Sequence, residues 1–185
     1  MKLESLLTQK RATIVEKWFN LIVETYPAET AKFLKKQRDQ FANPVGHAVS
    51  RGVEGIFSEL LSGFDAEKVS PFLDNIIRVR AIQDFKPSAA LAFLPRFKDA
   101  VRELAAGDVC DGGLAQELLE FESRLDQLTL LAFDIYSKCR DKISDIRVNE
   151  VRHSVHSLLK RAKLICEVEG EQPEKKRDGH TENAT

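Results

Sequence analysis

Cysteine is scarce in this sequence: Cys110, Cys139 and Cys166 are odd in number and far apart. They form no CxxC pair and no disulfide framework, which favours a reducing compartment. Long apolar runs are missing as well. The segment Met1 to Lys10 lacks the apolar stretch of a signal peptide, and no run approaches the ~18 apolar residues of a membrane span. These absences predict a cytoplasmic protein without membrane insertion. Nor is there an excess of one charge. Lys and Arg number 28 against 29 Asp and Glu, so the whole molecule has no electrostatic case for nucleic acid or an anionic membrane.

Signatures of chemistry are equally scarce. No phosphate-binding glycine loop, GxSxG, HExxH or paired Cys/His metal pattern occurs. The chain is therefore expected to be no enzyme and to carry no cofactor and no metal. No stretch of four to eight residues alternates apolar and polar between turn signals, so the fold is expected to be all-α.

What is present reads as helices joined by short loops. Hydrophobic residues make up 43% of the 185, enough for one domain with a sizeable core plus an appendage. Leu3, Leu6, Leu7, Ile14, Trp18, Leu21 and Ile22 predict an amphipathic helix from Leu3 to Tyr26. Pro27 ends it and opens a short helix over Ala28 to Gln37. Asn43-Pro44 is the strongest start signal, since Asn43 can cap and Pro44 loses nothing at the first helical position. Val45, Val49, Val53, Ile56, Phe57, Leu60 and Leu61 then mark a buried face, and Gly63 a stop. Gly46, Gly52 and Gly55 each weaken that helix by roughly 1 kcal/mol relative to Ala, and point to close approach of a helix or ligand. Ser70-Pro71 predicts the next start, for a helix that Pro87 closes near Asp84. Ser88 to Ala106 is helical again, kinked or split by Pro95.

The last helix begins near Leu114 and meets no glycine or proline until Gly170. Its apolar register changes phase. Phe121, Leu125, Leu128, Ala132, Ile135, Cys139 and Ile146 keep one seam; Val148, Val151, Val155, Leu158, Ala162 and Ile165 keep a cleaner one. The change predicts a helical bundle over 1–145, a partner-contacting extension over 146–169, and a disordered tail over 170–185. A parallel homodimer through the second seam is the first expectation, with a protein partner of another kind beside it. The Lys/Arg-rich stretch Arg140 to Lys163 reads as a solvated helix face, and nucleic-acid binding there is the weakest reading.

Candidate ligand residues are few. His153 and His156 stand three apart on one helical face but lack a carboxylate or cysteine to complete a metal set. His47 is the histidine within the predicted bundle, and would be the ligand if the chain were a haem or other small-molecule sensor. In Arg78-Val79-Arg80-Ala81-Ile82-Gln83-Asp84-Phe85, the spacing forbids Arg78 and Arg80 from sharing a face. One is expected to pair with a carboxylate, such as Asp84 with Arg80, and the other to face solvent. His47, Arg78, Arg80, Gln83 and Asp84 form the candidate ligand-binding set.

Trp18, Phe41-Ala42-Asn43-Pro44-Val45-Gly46, the Arg78 to Ser88 segment, Phe133-Asp134-Ile135-Tyr136 and Arg147-Val148-Asn149-Glu150-Val151 together resemble one family. It is the N-terminal domain of the RsbT co-antagonist RsbRD proteins, and the likeness spans roughly residues 5 to 165. The resemblance implies a helical input domain, related in shape to the globin-like sensor modules of stressosome proteins, that signals without catalysis. In that family a helix leads to an output domain. Here only the polar tail follows, so a stand-alone regulator is expected.

Overall fold

A computed structural model describes residues 2–36, 39–83, 85–106, 112–162 and 164. Among them every regular element is a helix: α1 (Leu3–Gln9), α2 (Arg11–Val23), α3 (Ala28–Lys36), α4 (Pro44–Ser62), α5 (Ala66–Ile82), α6 (Pro87–Leu91), α7 (Pro95–Ala105) and α8 (Gly112–Arg161). The chain forms two compact units, Met1–Asp145 and Ile146–Thr185. All buried residues described lie in the first; every residue described in the second is exposed. The predicted tail, Ile165, Asp84, Cys110, Cys166 and His180 lie outside the described residues.

The helix expected over Leu3–Tyr26 is two helices. Lys10 leaves helical geometry at φ −93°, ψ 12°. None of residues 8–13 is buried, so nothing packs the chain continuously between Leu7 and Ile14. Asn43 caps α4 as expected, accepting from the Gly46 N–H at 2.8 Å. Its amide also donates to the Leu34 carbonyl at 3.1 Å, which ties α3 to α4. Gly46 leaves the room this needs, because a Cβ there would run into the Asn43 side chain.

The start of α5 differs from expectation. It lies a turn before Ser70-Pro71, at Asp65, whose carboxylate accepts from the Glu67 and Lys68 N–H groups at 3.0 and 3.4 Å. Burial of Val69 draws this extra turn into the core, and Pro71 sits exposed inside the helix at the expense of one hydrogen bond. Pro95 splits the next segment into α6 and α7, as its missing N–H requires.

The core centres on Trp18. Its ring stacks on Phe97 with centroids 3.9 Å apart, and its indole N–H donates to the Phe93 carbonyl at 3.1 Å. Phe57 meets Phe97 edge-on at 6.4 Å. Helices α4 and α5 approach closely, with Gly52 facing Ile76 and the Phe72 carbonyl and Gly55 facing the Phe72 ring. Phe121, Leu125, Leu128 and Ala132 of the first seam of α8 join this core together with Tyr136; Ile135 and Cys139 pack at its edge, whereas Ile146, placed in the same seam, is exposed.

Candidate functional site

Arg80 is fully buried. Helix α6 has only five residues, so its last carbonyls have no partner within it. The Arg80 guanidinium takes them: Nε donates to Ala90 O at 2.7 Å and Nη2 to Ala89 O at 3.0 Å. Its Nη1 donates to the Thr25 hydroxyl at 3.0 Å. Phe85, Tyr26 and Phe93 surround the cation, the Phe85 ring nearest with its centroid 4.4 Å from Cζ. Among the described residues Arg80 forms no ion pair. Carbonyl dipoles at the negative end of a helix and ring faces receive its charge.

Two buried oxygens beside this cation lack a hydrogen bond among the described residues: Tyr26 Oη and Gln83 Oε1. Burial pushes the Tyr26 phenol above its ordinary value, while the Arg80 charge works in the opposite direction. Burial likewise pulls Arg80 down, with Tyr26 opposing. Arg78 stays on the surface and pairs one turn back, Nε to Asp74 at 2.5 Å. Arg78 thus makes an i,i+4 pair with Asp74, while the expected pairing of Arg80 with Asp84 falls outside the described residues.

His47 belongs to a different place. It lines an open groove of about 800 Å³ bounded by Thr8 and Gln9, by α2 and by the start of α4, with Leu34 and Lys35 at one end. Ala12, Val15, Phe19 and Gly46 supply apolar surface, and Arg11, Glu16, Lys35 and Glu54 supply charged groups, so the lining is mixed. Arg11 is held by the Ser58 hydroxyl at 2.7 Å and lies 5.6 Å from the Phe57 ring centre. The four candidate ligand residues that the structure describes therefore do not converge; Asp84 lies outside the described residues. Arg80 and Gln83 share the aromatic pocket, Arg78 faces solvent and His47 faces the groove. Phe19 and Arg11 escaped sequence reasoning because their positions on α2 follow an ordinary amphipathic pattern.

In the second unit Val148, Val151, Val155 and Leu158 are 45–62% exposed, so the second seam is bare. Ala162 is exposed as well. Within the first unit α8 also exposes Leu119, Leu130 and Phe133. Among the described residues no group of His, Cys, Asp or Glu is arranged to hold a metal, and no helix is long and apolar enough to cross a membrane.

Residues 12–151 match the family described as the RsbT co-antagonist protein rsbRD N-terminal domain. The chain is similar to a protein of Archaeoglobus fulgidus described as uncharacterized, 25% identical over 156 residues, covering 81% of this chain and 90% of that one. No solved structure matches.

Proposed function

We propose that this chain, which belongs to the RsbT co-antagonist protein rsbRD N-terminal domain family, is a non-enzymatic regulatory domain that works through protein–protein contact. Stressosome-related signalling is the setting that the family suggests. The observation that carries the reading is the apolar stripe of the second unit. A run of Val148, Val151, Val155 and Leu158 at 45% exposure or more is a surface that a partner helix can cover by the three-four rule of helix pairing. The absence of recognisable catalytic motifs agrees with it, and the motif residues of the family resemblance are engaged in architecture: Asn43 joins two helices and Arg80 closes a third.

The test uses the full chain as bait in its native lysate, beside the double variant Val155→Asp, Leu158→Asp. Both residues are exposed, so the variant is expected to keep its fold while losing at least one stoichiometric partner. An identical set of captured proteins would overturn the reading.

A second reading, ligand sensing in the groove beside His47, rests on the volume and mixed lining of that groove. In its haem form it predicts a Soret band that vanishes in His47→Ala. A groove carrying Arg11, Glu16, Lys35 and Glu54 suits a polar ligand better than a porphyrin face.

A further inference from the structure

The stripe of the second unit carries information about what covers it. Counted in sevens, Val148, Val155 and Ala162 form one line and Val151 and Leu158 the other. The positions that flank these lines are Arg147, Ser154 and Arg161 on one side, Arg152 and Leu159 on the other. Arg147, Arg152 and Arg161 are all exposed and form no ion pair among the described residues. Between Ile146 and Ala162 there are four Lys or Arg against a single acid, Glu150.

Flanking positions decide partner choice, because there the side chains of two packed helices meet. A second copy laid parallel would set Arg147 against Arg152. Laid antiparallel, each flank would meet its own kind, arginine against arginine, serine or leucine. Neither orientation offers an acid. The apolar lines themselves are indifferent, since Val and Leu pack as well on a copy as on another helix. Charge is thus the deciding term.

Resting on the contact reading above, we infer that the Val148–Ala162 stripe binds a heterologous amphipathic helix whose flanking positions carry Asp or Glu. The arginines supply its selectivity: they repel a second copy and pair with the acids of the partner. The apolar lines supply the common affinity. The homodimer expected from the seam alone is disfavoured at this surface.

The experiment uses the full chain and two labelled synthetic helices of four heptads, both with Val and Leu on the seam. One carries Glu at all flanking positions and the other Lys; each repels itself and stays single. Fluorescence anisotropy is expected to show the Glu helix binding about tenfold tighter at low salt. At roughly 0.5 M NaCl, where screening acts within a few ångströms, that preference falls to about threefold or less. Reversing all three arginines (R147E/R152E/R161E) inverts it. Val155→Asp with Leu158→Asp abolishes binding of both helices.

The outcomes separate the two claims. If the double Asp variant still binds both helices, the contact reading itself fails. If it abolishes binding but the native chain shows no preference between Glu and Lys helices, only the charge inference fails. A dimer that the double Asp variant dissolves would mean that the seam pairs with itself, and would overturn the inference. So would retention of a short DNA duplex that survives the double Asp variant, which would assign the arginines to nucleic acid.

Discussion

Arg80 shows how, among the described residues, carbonyl oxygens and aromatic rings hold a buried charge. Taking a guanidinium out of water is expensive, and three acceptors plus three ring faces must offset it. Arg80→Lys keeps the charge but loses the planar fork that reaches Ala89, Ala90 and Thr25 together. It is expected to lower stability by about 2–4 kcal/mol in urea unfolding, the range for breaking charged hydrogen bonds and orphaning their partners. Arg80→Met orphans all three acceptors and should fall at least as far; a rise in stability would show that desolvation outweighs the bonds. Tyr26 offers a gentler test. Its hydroxyl is buried beside Arg80 and Gln83 without a well-formed hydrogen bond among the described residues, so Tyr26→Phe is expected to change stability at neutral pH by less than about 1 kcal/mol in either direction. The native phenol is raised above its unfolded value, so it holds its proton more tightly folded than unfolded. Both states keep the proton below about pH 10, so stability is unaffected there and falls as pH climbs from that value through the higher folded one. Tyr26→Phe should therefore flatten the alkaline limb of a stability–pH curve, and an unchanged limb would refute the assignment.

At the scale of elements, one device recurs: a basic side chain satisfies the final carbonyls of a helix. Lys10 reaches Leu104 O of α7 at 2.9 Å, Arg124 reaches Leu60 O of α4 at 2.9 Å, and Arg140 reaches Ala81 O of α5 at 3.1 Å. Arg80 does the same for α6. Each places a cation at the negative end of a helix dipole and removes orphan acceptors. Helix α4 depends on two further local features. Asn43→Ala removes a cap and the bond to Leu34, and is expected to cost about 1–2 kcal/mol in urea unfolding. Gly52→Ala tests packing by its sign. In an open helix Ala gains about 1 kcal/mol over Gly, but here the added Cβ would lie 2.7 Å from Ile76 and 3.0 Å from the Phe72 carbonyl. Stability should fall; a gain would mean that α4 and α5 can part at little cost. These cases mark what was legible in the sequence. Asn43-Pro44, Gly63 and the split at Pro95 act through neighbours along the chain, so their types alone revealed them. The break at Lys10 and the start of α5 at Asp65 depend on what the core can bury. The burial of Arg80 was illegible, because its partners Thr25, Ala89 and Ala90 come from other elements and two of them act through backbone oxygen. Of the candidate site, the bare second seam was legible from spacing; the groove around His47 was not, because it is a space between helices.

For the whole molecule, a near-neutral total conceals a sorting of charge. In the first unit several cations are held against carbonyls, and Arg102 is locked to the buried Glu122 by two bonds of 2.6 and 2.8 Å. In the second unit Arg147, Arg152 and Arg161 stand exposed beside an exposed apolar stripe. The same separation applies to stability. Among the described residues the buried ones run no further than Tyr136, and every residue of 146–162 is exposed. Hydrophobic burial is the main favourable term in folding, so a segment that buries nothing contributes little to it. A chain ending at Asp145 is therefore expected to unfold in urea within about 0.5 kcal/mol of the full chain, the usual range for changes confined to surface. Its helical circular dichroism per molecule should drop by the contribution of the residues removed, and its binding of the Glu-flanked helix should vanish. A loss of stability much above 1 kcal/mol would mean that the second unit takes part in folding the bundle. An intact bundle that still binds the acidic helix would move the contact surface into the first unit, where Leu119, Leu130 and Phe133 are the exposed apolar residues of α8.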